Sequence, residues 1–120
     1  MAIRCAFFDF DEVLRTWEYE VSDLGEIFGI PLDDFREVAF AREISTPAVR
    51  GQITDEEWRA NVGKILAERF PDRDVEAAMQ MWSGRIGKLI PEVHEIIQAC
   101  KARVPVGLMT NATSKLNKDL

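Results

Sequence analysis

The stretch Met1-Ala-Ile-Arg-Cys-Ala-Phe-Phe-Asp-Phe-Asp-Glu-Val-Leu14 decides the fold. Residues 3–8 form a short apolar run with little alternation, the pattern of a strand buried on both faces of a parallel sheet under helices. The run ends in Asp9-Phe10-Asp11. In open α/β sheets ligands gather at the carboxyl ends of strands. Two acids spaced by two there point the same way if strand geometry persists. One suits a nucleophile or metal ligand and the other a proton carrier. Taken alone, Asp-x-Asp after a strand is equally a turn former or a helix cap.

With Val13-Leu14 following, the stretch resembles the first motif of the haloacid dehalogenase superfamily: an apolar strand, Asp-x-Asp-Gly, then Val or Thr and an aliphatic residue. Glu12 stands where that family usually has Gly, a residue free to take backbone angles that others avoid.

The intervening chain reads as helix. Ser22 caps 23–28, which Gly29 ends. Pro31 opens a second helix, and Phe35, Val38 and Ala39 form its apolar stripe to about Ile44, where Pro47 and Gly51 break it. Thr54 and Glu57 have capping-box spacing, and Ile53 is placed to staple onto a helix over 55–69. Trp58, Val62, Ile65 and Leu66 recur there at helical spacing, as Val75, Ala78, Met79, Trp82 and Ile86 do over 74–89. Both stripes are most simply core. Trp17 and Tyr19 either line a site mouth or pack under the next helix, with packing preferred. A helix over 91–103 places His94, the one histidine, on its polar side as a solvated residue.

Val104-Pro-Val-Gly-Leu-Met109 is the second apolar strand, and Thr110-Asn111-Ala112-Thr113 follows it. By itself Thr110-Asn111 is a helix cap, with a helix expected from about Ser114. Beside the first stretch it resembles the superfamily's second motif, an apolar strand ending in Thr or Ser and then often Asn. The resemblance implies an α/β fold: an incomplete Rossmann-like core of two parallel strands with a large helical insert, mostly helical by residue count. Residues 1–15 and 91–120 would be partial core, and 16–90 a C1-type cap of the phosphoglycolate phosphatase-like branch. The segment Gly51-Gln-Ile-Thr-Asp-Glu-Glu-Trp58 is similar to one common in such caps.

The implied activity is a magnesium-dependent phosphatase on a small phosphorylated metabolite. Asp9 would be the nucleophile and Asp11 the general acid and base. Thr110 and Asn111 would hold phosphate oxygens, with backbone N–H groups at a helix start near Asn111. Mg2+ would sit on the Asp9 carboxylate and the Asp11 backbone carbonyl. A 2-haloacid dehalogenase using the same aspartate, or a non-catalytic helical fragment that self-associates, are the alternatives. The family's third-motif Lys and fourth-motif acids belong on later strands. Lys115 and Lys118 lie too near Thr110 to serve as that Lys. The reading is therefore of an N-terminal portion expected to be inactive without those motifs or of reduced activity, whose open sheet edges favour a homo-oligomer, by exchange of elements or otherwise.

A net charge of −6 speaks against a general nucleic-acid binder, which needs a basic face. No apolar run approaches the roughly 20 residues of a membrane span, and no secretory h-region opens the chain. Cys5 and Cys100 have apolar neighbours and no Cys-x-x-Cys spacing, which suggests buried free thiols and a cytoplasmic location.

Overall fold

The computed structural model describes residues 2–17 and 22–119. In chain order the elements are β1 (Ala6–Asp9), β2 (Arg15–Thr16), α1 (Ser22–Phe28), α2 (Leu32–Ala39), α3 (Arg42–Val49), α4 (Asp55–Arg69) and α5 (Val75–Ser83). Then come β3 (Lys88–Leu89), α6 (Pro91–Lys101), β4 (Val106–Met109) and α7 (Leu116–Asp119). The fold is mixed α/β and dominated by helix. Two units divide the chain: residues 1–18 with 86–111, and residues 19–85 with 112–120. Tyr19 and the Ser22 side chain lie outside the described residues.

The strand-bearing unit joins the two apolar runs. β1 and β4 pair in parallel, with Ala6 opposite Val106 and Asp9 opposite Met109. α6 packs against β4. Of its expected stripe Val93, Ile96, Ile97 and Cys100, Ile97 is buried and Val93 and Cys100 are half-buried, but Ile96 is 56% exposed. A second, antiparallel pair of two-residue strands, β2 with β3, closes the other side of the Asp11 turn. The expectation of a strand buried on both faces is overturned. Ile3 is 77% exposed and Phe7 62%, Cys5 is exposed too, and β1 starts only at Ala6. A sheet of two strands with one helix packed on it offers only one covered side. Cys5 and Cys100 are free thiols, as expected, but Cys5 is not buried.

The helical unit holds the larger core. Leu24, Ile30, Phe35, Val38, Ala39, Trp58, Val62, Leu66 and Ala78 are buried together. Phe35 meets Trp82 edge-on at 4.9 Å, and Trp82 meets Trp58 at 5.1 Å. Such pairs contribute about 0.5–1.5 kcal/mol each beyond their buried area. The Trp58 indole N–H, taken out of water, donates to the Ala39 carbonyl at 3.0 Å. The expected stripes of α4 and α5 are core, and Thr54 accepts from the Glu57 N–H at 3.1 Å as its spacing required.

Three boundaries differ from expectation. The helix over 35–44 is two helices, broken at Phe40–Ala41, and Pro47 sits inside α3 instead of ending it. In so short a helix Pro47 removes one bond, and its carbonyl accepts from Gln52 and Ile53. The helix over 74–89 stops at Ser83, capped by Gly84, and Ile86 is exposed outside it. Lys88 and Leu89 pair with Arg15 and Thr16 instead. The enabling residue is Gly87: its φ is +77°, and a Cβ there would lie 2.8 Å from the Arg15 side chain. No helix among the described residues is long and apolar enough to cross a membrane.

Candidate active site

Register places the candidate residues. Asp9 ends β1 directly opposite Met109, the last residue of its parallel neighbour β4. Thr110 and Asn111 follow Met109 immediately, so Asp9 and the Thr110-Asn111 pair leave the sheet at the same carboxyl end. Parallel strands have this property and antiparallel ones do not. It brings residues a hundred positions apart to one edge of the unit.

Local hydrogen bonding then shapes the loop after Asp9. The Asp9 Oδ1 accepts from the Phe10 N–H at 2.8 Å, which leaves Oδ2 on an exposed side chain. Phe10 is buried, and its carbonyl accepts from the N–H groups of Leu14 and Arg15 at 2.9 and 3.0 Å. The chain thus reverses tightly over residues 11–14. Such a reversal needs a left-handed residue, and Glu12 supplies it with φ +62°. This is the position at which the resemblance expects Gly. The Glu12 carboxylate folds back to accept from the Trp17 backbone N–H at 3.3 Å.

Asp11 is held by Arg15, which the sequence reading passed over, and by Trp17, which it placed either at a site mouth or under the next helix. Its Oδ1 accepts from Arg15 Nε at 2.8 Å and from Trp17 Nε1 at 3.0 Å. Arg15 is 7% exposed. Its guanidinium lies between the Phe10 ring, 4.6 Å away, and the Trp17 ring, 4.2 Å away, and it donates to the Ile86 carbonyl at 3.3 Å. Asp11 is therefore fixed through one oxygen and keeps the other for chemistry. The four-residue spacing of Asp11 and Arg15 was visible in the sequence, but nothing there showed that a turn would bring them face to face.

Thr110 is half-buried and Asn111 exposed. The helix expected from about Ser114 begins at Leu116 after a turn, and because residues 110–113 are irregular no helix start adjoins Asn111. Thr113 closes that irregular stretch. Its hydroxyl donates to the buried Asp55 carboxylate at 2.5 Å, and the Ser114 hydroxyl accepts from the Asp55 N–H at 2.8 Å. Those side chains tie the chain to the start of α4, and Thr113 also heads α7: its hydroxyl accepts from the Lys115 N–H at 3.4 Å and its carbonyl from the Leu116 N–H at 3.2 Å.

A metal would find a small donor set. Among the described residues no group of three or more His, Cys, Asp or Glu converges. The Asp11 carboxylate is engaged by a guanidinium, so the Asp9 carboxylate and the Asp11 backbone carbonyl are what is offered. Hard oxygens in that number suit magnesium, which commonly takes one or two carboxylates and completes its shell with water and phosphate oxygens. The helical unit separately carries an open groove of about 710 Å3 along α4 and α5, lined in part by Arg59, Gly63 and Met79. It contains none of the four candidate residues.

Searches against family models, curated proteins and solved structures found no match to this chain.

Proposed function

We propose that the chain carries the nucleophile end of a phosphatase of the haloacid dehalogenase type, acting on a small phosphorylated metabolite. The observation that supports this most is the parallel register that sets Asp9 and Thr110-Asn111 at one end of the sheet. An Asp9 oxygen attacks phosphorus, and the bond from phosphorus to the leaving oxygen breaks as an aspartyl-phosphate forms. The leaving oxygen takes a proton from Asp11. Water then attacks the phosphorus, Asp11 accepts its proton, and phosphate departs with Asp9 restored. Thr110 and Asn111 bind the non-reacting phosphate oxygens. The Asp9 carboxylate and the Asp11 backbone carbonyl would hold magnesium, which would neutralise charge on those oxygens.

The clamp on Asp11 fixes the orientation of its carboxylate. With Oδ1 held by Arg15 and Trp17, only Oδ2 is presented, and a fixed proton donor costs less reorganisation than a mobile one. The second acid also favours a phosphatase over a 2-haloacid dehalogenase, which needs only the nucleophile. The test is hydrolysis of a generic phosphate monoester in magnesium buffer. Hydrolysis lost in Asp9→Asn, with the folded content unchanged by circular dichroism, is the expected result. Hydrolysis that persists in Asp9→Asn removes the assignment. A folded chain with no hydrolysis at all favours the non-catalytic alternative.

A further inference from the structure

Arg15 is a cation that the strand-bearing unit takes almost wholly out of water. Its side chain is 9% exposed, while Asp11, which it holds at 2.8 Å, keeps 35% of its side-chain surface. A guanidinium out of water is costly unless its donors and faces are used. Here the Phe10 and Trp17 rings lie 4.6 and 4.2 Å from it, and Nη1 donates to the Ile86 carbonyl, 71 residues along the chain. The next residue, Gly87, has φ +77°, and a Cβ there would stand 2.8 Å from the Arg15 Cγ and 2.9 Å from its Cδ. Residues 86 and 87 thus touch the arginine twice, once with an acceptor and once by carrying no side chain. The pairing of β2 with β3 requires none of this, because ladder bonds are made by backbone whatever side chain stands at position 15.

We propose that Arg15 is a positioning residue for the phosphatase reaction, acting through the Asp11 carboxylate, and that Gly87 sets the place of its stem. The inference rests on the reading of Asp11 as the proton carrier. A guanidinium held at its stem, at Nη1 and against two rings gives its Nε one direction. The Asp11 Oδ1 follows that direction, and the turn of Oδ2 follows from it. Arg15 touches no reacting atom. Its effect is confined to the steps in which Asp11 moves a proton. An alkyl phosphate releases an alkoxide-like oxygen and needs the Asp11 proton to leave. An acyl phosphate releases a carboxylate, which leaves without one. Transfer of the phosphoryl group to Asp9 therefore depends on Arg15 when the donor is an alkyl phosphate, and not when it is an acyl phosphate.

The test compares the two donors in magnesium buffer. Arg15→Met keeps an apolar stem and removes Nε, and its kcat on an alkyl phosphate should fall roughly a hundredfold with KM within about twofold. Gly87→Ala keeps the guanidinium but displaces the stem, and should lower kcat in the same direction. Arg15→Lys retains a cation, so it serves if the methionine variant does not fold, and it should not restore the rate, since one ammonium cannot reach both Asp11 and the Ile86 carbonyl as the fork does. In all three the acyl phosphate should label Asp9 at least as fully as in the parent chain, because the dephosphorylation that removes the label also uses Asp11. Added to Asp11→Asn, Arg15→Met should lower kcat no further. An alkyl phosphate rate indifferent to Arg15, or a further drop in the Asp11→Asn background, would overturn the inference and leave the phosphatase reading standing. Equal loss of turnover and of labelling would reduce Arg15 to a support of the fold. A parent chain labelled at Asp9 that turns over no alkyl phosphate removes the role of Asp11 and that of Arg15 with it. A parent chain that is not labelled removes the phosphatase reading itself.

Discussion

At the scale of single residues the chain is most informative where it departs from expectation. Glu12 occupies a left-handed conformation, φ +62°, that costs a side-chain-bearing residue on the order of 1–2 kcal/mol. Glycine removes that cost and returns part of it as unfolded-state entropy. Glu12→Gly should stabilise the chain by about 1 kcal/mol in urea unfolding; a loss of stability would show that the bond from the Trp17 N–H to Glu12 outweighs the strain. The Asp11 clamp makes the second residue-scale prediction. Trp17→Phe keeps the stacking surface over Arg15 but deletes one donor to a carboxylate. It should cost about 1–2 kcal/mol of stability, and it should lower kcat more than it raises KM if Asp11 is the proton carrier. Equal changes in stability and none in kcat would leave Trp17 with a structural role alone. The acids Asp9 and Asp11 were legible in the sequence because they end an apolar run. Arg15 was not, and Trp17 was placed only as lining a site mouth or packing, because their contacts arise from a turn whose closure depends on the buried Phe10 carbonyl.

At the scale of elements, helices read well and their ends read badly. The stripe Trp58, Val62, Leu66 follows the 3.6-residue period and is core. The Thr54 cap sits where its spacing to Glu57 placed it, and Thr54→Ala should cost about 1 kcal/mol. The end of α5 was hidden because the apolar stripe runs on to Ile86, past Gly84 where the helix stops. Gly87 matters only through its distant contact with Arg15, which no local pattern contains. The ion pair between Glu56 on α4 and Lys118 on α7 makes a prediction about pH. Hydrogen bonding from Lys118 holds the Glu56 carboxyl below its ordinary 4.5, and hydrogen bonding to Glu56 raises the Lys118 ammonium above 10.5. The Glu56 contribution is present above 4.5 and is lost as pH falls through the lowered value. The Lys118 contribution is present below 10.5 and is lost as pH rises through the raised one. Both side chains are exposed, so salt screens the pair. Lys118→Met should lower the urea midpoint slightly near neutral pH at low salt, and the difference from the parent chain should vanish at both pH extremes.

At the scale of the whole molecule, the two apolar runs at opposite ends of the sequence were enough to foresee a parallel pair, and β1 and β4 form it. Their burial was not foreseeable from the runs themselves. An apolar run states that a strand can be covered on both sides, whereas exposure of Phe7 and Met109 depends on how many layers are present. The central claim is that Asp9 takes up a phosphoryl group. Its most direct test is mass spectrometry of the chain after brief incubation with a small acyl phosphate and magnesium, quenched in acid and digested. The account predicts one added phosphoryl group on the peptide containing Asp9, absent from Asp9→Asn. An unmodified Asp9 peptide, or a phosphoryl group that persists in Asp9→Asn, would contradict it.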